Sequence, residues 1–162
     1  MKQQKSVSFP SILANCFNHF VDCFDSGRTK VCLHYRRGDF LKHQLQGFEV
    51  ADLTYVSKTF SLYRSWFRNV TFVVVSDNIK WCKQNVKDHD VVFSPFTNAF
   101  DDFALLTSCD HVIVTSGTFG WWGAWLSSGK TVYFSGYPRP NSKLGGHMNT
   151  TDYYPGSWIG FP

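Results

Sequence analysis

Two adjacent arginines, Arg36 and Arg37, stand in the run HYRRGDF, with His34 two residues before the pair and Asp39 two residues after it. A guanidinium keeps its charge and offers a planar fork of N–H donors, so it suits a phosphate group gripped through two oxygens. The pair closes an apolar run, VCLHYR over 31–36, that reads as a buried strand. Parallel sheets bind ligands at the carboxyl ends of their strands, so the spacing points to an anion clamp. Alternation along a strand sends neighbouring side chains to opposite sides, which predicts one arginine on the ligand and the other bracing the loop. The competing reading is a solvated arginine pair that meets Asp39. Arg37-Gly38-Asp39 also matches an integrin-recognition tripeptide, but the end of a buried strand is the wrong place to display one.

A second constellation lies in CDHVIVTSGTFGWWGAW, where a strand-like run enters Ser116-Gly117-Thr118 and a helix is expected from about Phe119. A small polar turn ahead of a helix offers backbone N–H groups, hydroxyls and the positive end of the helix dipole to an anion. Small residues also let a ligand approach the backbone closely. The competing reading is ordinary capping by Ser116 or Thr118, with Gly120 and Gly123 there for packing.

Two other motifs are rejected. Ser128-Gly129-Lys130-Thr131 resembles the end of a phosphate loop, but Ala124 stands where that loop needs glycine and a strand follows instead of a helix. Asp88-His89-Asp90 resembles the metal-binding acidic pair of many glycosyltransferases, yet it precedes a strand, and a solvated loop is the expectation.

The elements that must position these residues alternate between short β-branched runs and longer amphipathic ones, the pattern of βαβ units and a parallel sheet. Strands are expected at 31–36, 71–76, 90–93, 111–115 and 131–134. Val50, Leu53, Val56, Phe60, Tyr63 and Phe67 recur at helical spacing, and further helices are expected in NIKWCKQNV and DDFALLTS, capped by Asn78 and Asp101. An N-terminal helix is expected from about Ser11 to Phe24, closed by Ser26-Gly27. The prediction is a single α/β domain over 1–162: lead-in to 30, Rossmann-like sheet core over 31–136, and an irregular tail over 137–162 packed by its aromatics. No G-x-G-x-x-G turn follows the first strand, which argues against a dinucleotide oxidoreductase.

At 162 residues the chain can bury a sizeable core, and 43% hydrophobic with 17% charged residues is a globular composition. The net charge of +4 comes from basic residues spread along the chain, which suits anionic ligands but not nucleic-acid binding. The five cysteines, Cys16, Cys23, Cys32, Cys82 and Cys109, lack zinc-site spacing and are expected as buried thiols. Asn69-Val70-Thr71 and Asn149-Thr150-Thr151 match the glycosylation sequon and lean toward a secretory lumen. The sequence has no apolar run of roughly 18 residues, the length of a membrane helix, and MKQQKSVSF lacks a signal peptide's apolar segment.

Read together, VCLHYRRGDF, FVVVSDNIKWCKQNV and DFALLTSCDHVIVTSGTFGWWGAWLSSGKTVYFSGYPRP resemble successive signature segments of the galactoside α1,2-fucosyltransferase family, and YPGSWIG resembles its closing segment. The resemblance covers about Val31 to Pro140 in motif order. It implies the donor-binding half of a two-domain GT-B enzyme that moves L-fucose from GDP-fucose to the 2-hydroxyl of a galactose-terminated glycan, with inversion. It further implies no cofactor, no obligatory metal and a place on the lumenal side of the Golgi membrane. By motif position, Arg36 contacts the diphosphate, Arg37 supports it, Asp102 lies near guanine or ribose, and Ser116, Gly117 and Thr118 lie near the phosphates. His34 and Asp39 fall in the first motif, and Asp39 is the nearest candidate for the catalytic base, with Glu49 and Asp52 as alternatives. Full members carry a cytoplasmic tail, anchor, stem and earlier catalytic segment that are not found before Lys30, so a truncated, inactive nucleotide-sugar-binding module is the alternative expectation. Trp121, Trp122 and Trp125 make the third motif unusually aromatic, read as a core or interface stripe.

Overall fold

A computed structural model describes residues 27–162. The expected N-terminal helix, together with Cys16 and Cys23, lies outside the described residues. Six strands, β1 (Thr29–Tyr35), β2 (Val70–Ser76), β3 (Val91–Phe93), β4 (His111–Val114), β5 (Thr131–Phe134) and β6 (Ile159–Phe161), form one sheet in the order β3-β2-β1-β4-β5-β6. Every pairing is parallel. Four helices cross between strands: α1 (Leu53–Trp66), α2 (Ile79–Asn85), α3 (Ala99–Ser108) and α4 (Thr118–Ser127). Two short ones, α5 (Lys143–His147) and α6 (Thr150–Tyr153), precede β6.

The near-continuous apolar runs are explained by burial on both sides. Leu33, Tyr35, Phe72 and Val74 pack against Tyr55, Val56, Phe60 and Tyr63 of α1, while Cys32, Val73, Val75, Val112 and Val114 pack against Leu105 and Leu106 of α3 and Ala124 of α4. Phe60 stacks on Phe72 with centroids 3.8 Å apart. Each such fully buried large side chain contributes about 1.5–3 kcal/mol. Tyr63 also donates its hydroxyl to the carbonyls of Val112 and Lys130, at 3.0 and 2.8 Å, and so fastens α1 to the β4–β5 edge. Cys32, Cys82 and Cys109 are buried free thiols.

The expected strands all form, with ends shifted by no more than two residues, and Asn78 caps α2 by accepting from the Trp81 N–H. Asp101 does not cap its helix. α3 begins earlier, capped by Asn98, whose side chain accepts from the Asp101 N–H at 2.9 Å. The segment past Tyr137 is also more ordered than the irregular tail expected. β6 pairs with β5 at the edge of the sheet, and Tyr154 stacks on Tyr133 at 3.6 Å, so aromatic packing fixes a run too rich in glycine and proline to announce a strand. Trp121 donates to the Tyr153 carbonyl, while Trp122 and Trp125 are 53% and 51% exposed, so the stripe is only partly core.

Candidate functional site

The chain runs from β1 outward to β2 and β3 on one side and to β4, β5 and β6 on the other. The crevice where strand order reverses therefore opens above the carboxyl ends of β1 and β4, the place where such sheets bind nucleotides. Thr115 ties those two ends together, accepting from the Arg36 N–H at 2.8 Å and donating to the His34 carbonyl at 3.1 Å.

Arg36 and Arg37 leave the strand on different sides. Arg36 reaches over the crevice, where its guanidinium meets Asp39 at 2.7 Å and Asp77 at 3.0 Å. Arg37 instead lies over the Trp81 ring, 3.9 Å from its centroid, with its main-chain N–H donating to Asp77 at 3.0 Å. Asp77 follows β2 and holds both arginines, a role the sequence left unassigned because the residue is forty positions away. Its signal was there: a carboxylate at the carboxyl end of the neighbouring strand.

The turn after β4 enters its helix without a side-chain cap. Gly117 sits at φ +84° and ψ 158°, a conformation essentially restricted to glycine, and it precedes α4 with no side-chain cap. The expected alternative, capping by Ser116 or Thr118, is not what these residues do, so the first N–H groups of α4 are left for another partner. Ser116 is fully buried with its hydroxyl unpartnered, while Gly117 and Thr118 face the crevice.

His34 lies beside Arg36 in the crevice, 3% exposed, with Nδ1 unpartnered and its ring 5.2 Å from Phe119. A Cβ on Gly120 would come within 2.3 Å of that nitrogen, so only glycine admits the imidazole here. Burial, with Arg36 pushing the same way and Asp77 opposing, lowers the His34 pKa to about 4. Two cavities meet at this point and share His34, Arg36 and Phe119. One, of about 360 Å3, adds Ser76, Asp77, Asn98 and Asp102; the other, of about 270 Å3, adds Phe40, Phe48, Gly117, Thr118 and Tyr137. Asp102 accepts from the Ser94 hydroxyl, and burial raises its pKa against that hydrogen bond.

The alternative carboxylates are engaged elsewhere. Glu49 pairs with Arg139, and Asp52 caps α1 by accepting from the Tyr55 N–H at 2.7 Å. Asp88 and His89 are exposed, as expected of a solvated loop, but Asp90 is buried, and Arg64 binds both carboxylates, at 2.6 and 2.5 Å, at the amino-terminal edge of the sheet and away from the crevice. Their ligand atoms and that of His89 lie within 4.8 Å of one another, but Arg64 already supplies the cation. Of the two sequon asparagines, Asn69 and Asn149, both are exposed; Thr71 is buried and accepts from Arg28, whereas Thr151 is exposed and donates to Asn149 at 2.8 Å.

The sequence profile described as glycosyl transferase family 11 matches residues 10–161. The chain belongs to this family. It is 39% identical over 127 residues to human galactoside alpha-(1,2)-fucosyltransferase 1, covering 74% of this chain and 35% of that protein. It is 36% identical over 143 residues to rat galactoside alpha-(1,2)-fucosyltransferase 2, covering 83% and 40%. The chain thus spans little more than a third of the length of these curated relatives. Among solved structures, NodZ alpha-1,6-fucosyltransferase soaked with GDP-fucose superposes with a TM-score of 0.58 at 19% identity, over 85% of this chain and 47% of that one. POFUT1 in complex with GDP gives 0.56 at 10% identity, over 78% and 47%. These likenesses establish the GT-B-like α/β fold, in which the family 11 chain supplies a six-stranded parallel sheet with flanking helices.

Proposed function

We propose that this chain carries the donor site of an inverting galactoside 2-α-L-fucosyltransferase that takes L-fucose from GDP-fucose. The observation that carries the reading is Arg36, poised between Asp39 and Asp77 and facing the uncapped first turn of α4 across the β1–β4 crevice. Family membership and the named activities of the relatives support it.

In an inverting transfer the acceptor's 2-hydroxyl attacks C1 of fucose as the C1–O bond to the β-phosphate breaks. The departing GDP gains negative charge, and one proton leaves the acceptor. Arg36 and the N–H groups at Gly117 and Thr118 stabilise that charge in our reading, with Asp39 and Asp77 standing in for phosphate oxygens until the donor arrives. His34 underlies the site as a neutral imidazole, Arg37 braces the loop from Trp81, and Asp102 receives the nucleoside. Asp39, exposed beside the clamp, is assigned the proton. The donor binds without an obligatory metal in this reading, since the arginine and the helix end supply the positive charge. The acceptor is a galactose-terminated glycan on the lumenal side of the Golgi membrane, and Asn69 and Asn149 are proposed glycosylation sites. Among the described residues no helix is long and apolar enough to cross a membrane.

Radiolabelled GDP-fucose incubated with a terminal galactoside tests the reading. Labelled product with inverted configuration supports transfer; GDP binding without product supports a binding module; failure to bind GDP overturns the proposal.

A further inference from the structure

The two cavities that flank Arg36 differ in chemistry. The larger lies over the ends of β1 and β2 and is lined by Ser76, Asp77, Asn98 and Asp102, acceptors suited to ring N–H groups and ribose hydroxyls. The smaller lies against the start of α4 and is walled by aromatic rings. Phe40 meets Phe48 edge-on at 4.9 Å and stacks near-parallel on Tyr137 at 5.6 Å, and Phe119 closes the side shared with the larger cavity. A Cβ on Gly117 would stand 3.7 Å from Phe40 and 3.9 Å from Arg36, so the aromatic wall continues directly into the anion turn.

A diphosphate held by Arg36 and the first turn of α4 carries substituents at both ends, and one cavity lies on each side of the grip. The acceptor-lined cavity takes the nucleoside, which leaves the aromatic one for the sugar. We propose that the Phe40–Phe48–Tyr137 wall is the hexose subsite and selects a 6-deoxy sugar by seating its C6 methyl group against Phe40 and Phe48. This assignment rests on the nucleotide-sugar reading above. A methyl there buries apolar surface, whereas a hydroxymethyl places a hydroxyl against two phenylalanines that offer it no hydrogen-bond partner.

Calorimetric titration of the full chain with GDP, GDP-L-fucose and GDP-L-galactose tests it, since L-galactose differs from L-fucose only by the hydroxyl on C6. The wild-type chain is expected to bind GDP-L-fucose more tightly than GDP-L-galactose by about 10-fold or more, the scale a hydrophobic pocket achieves against an added hydroxyl. Phe48, half-buried, is the residue to vary: Phe48→Ala closes the gap with GDP affinity unchanged, and Phe48→Leu, which keeps an apolar wall, retains it. Equal affinity of the wild type for both sugar nucleotides, with GDP bound normally, overturns the subsite and leaves the nucleotide reading intact. A gap that survives Phe48→Ala overturns it as well. Failure of GDP itself to bind overturns both.

Discussion

Replacing His34 with glutamine removes a titrating group from the floor of the crevice, and the structure fixes how stability should respond. His34 is held neutral, its pKa lowered from 6.5 to about 4 chiefly by burial, with Arg36 adding to the shift and Asp77 working against it. Above pH 6.5 neither the folded nor the unfolded state binds the proton, and the contribution to stability is constant. Between 6.5 and 4 the unfolded chain takes up a proton that the folded chain refuses, so stability falls as the pH falls. The linkage relation gives a loss of about 2 kcal/mol by pH 5 and about 3 kcal/mol once the pH is below 4. Urea unfolding followed by circular dichroism at pH 7.5 and pH 5 measures this for both proteins. His34→Gln should lose about 2 kcal/mol less than the wild type over that interval, because its side chain cannot titrate. Equal losses in the two proteins would show that His34 is not held neutral, and the picture of a dry imidazole under the clamp would be wrong.

Three further outcomes follow from the same geometry. Gly117→Ala should cost about 1–3 kcal/mol of stability in urea titration, since the φ of +84° excludes a side chain on backbone grounds, and GDP binding should weaken with it. Arg64→Ala leaves the buried Asp90 carboxylate without its cation and should destabilise the fold by about 2 kcal/mol, less than a fully buried pair because Arg64 is part-exposed. Its GDP affinity, read by calorimetry, should stay at the wild-type value. A chelator should leave fucosyl transfer unchanged in the radiolabel assay; loss of activity restored by manganese would redirect attention to Asp88 and Asp90.

Much of the fold was legible because local pattern and global environment agree. The β5 strand could be read to the residue, since TVYF is β-branched and aromatic and is bounded by Gly129-Lys130 and Ser135-Gly136. Other features were hidden for physical reasons. Asn98 and Asp101 are comparable caps by type, and the choice between them depended on where α3 packs over the sheet. The sixth strand, Ile159–Phe161, is three residues with a glycine at its centre, and only the open edge of β5 makes it a strand. At the site, the opposite placement of Arg36 and Arg37 followed from strand alternation. Asp77 and the aromatic wall did not, because their parts come from β2's end, the loop after β1 and the run beyond β5. Separations of 40 to almost 100 residues leave no periodic trace.

The central claim is that Arg36 grips the diphosphate of a nucleotide sugar, and titration of GDP into wild-type and Arg36→Ala proteins tests it most directly. Removing the guanidinium deletes a charge-assisted grip and leaves Asp39 and Asp77 facing the phosphates unshielded. Arg36→Ala should therefore lose at least about 30-fold in affinity, roughly 2 kcal/mol, with an unchanged circular dichroism spectrum. GDP affinity equal to that of the wild type in a folded Arg36→Ala protein would contradict it.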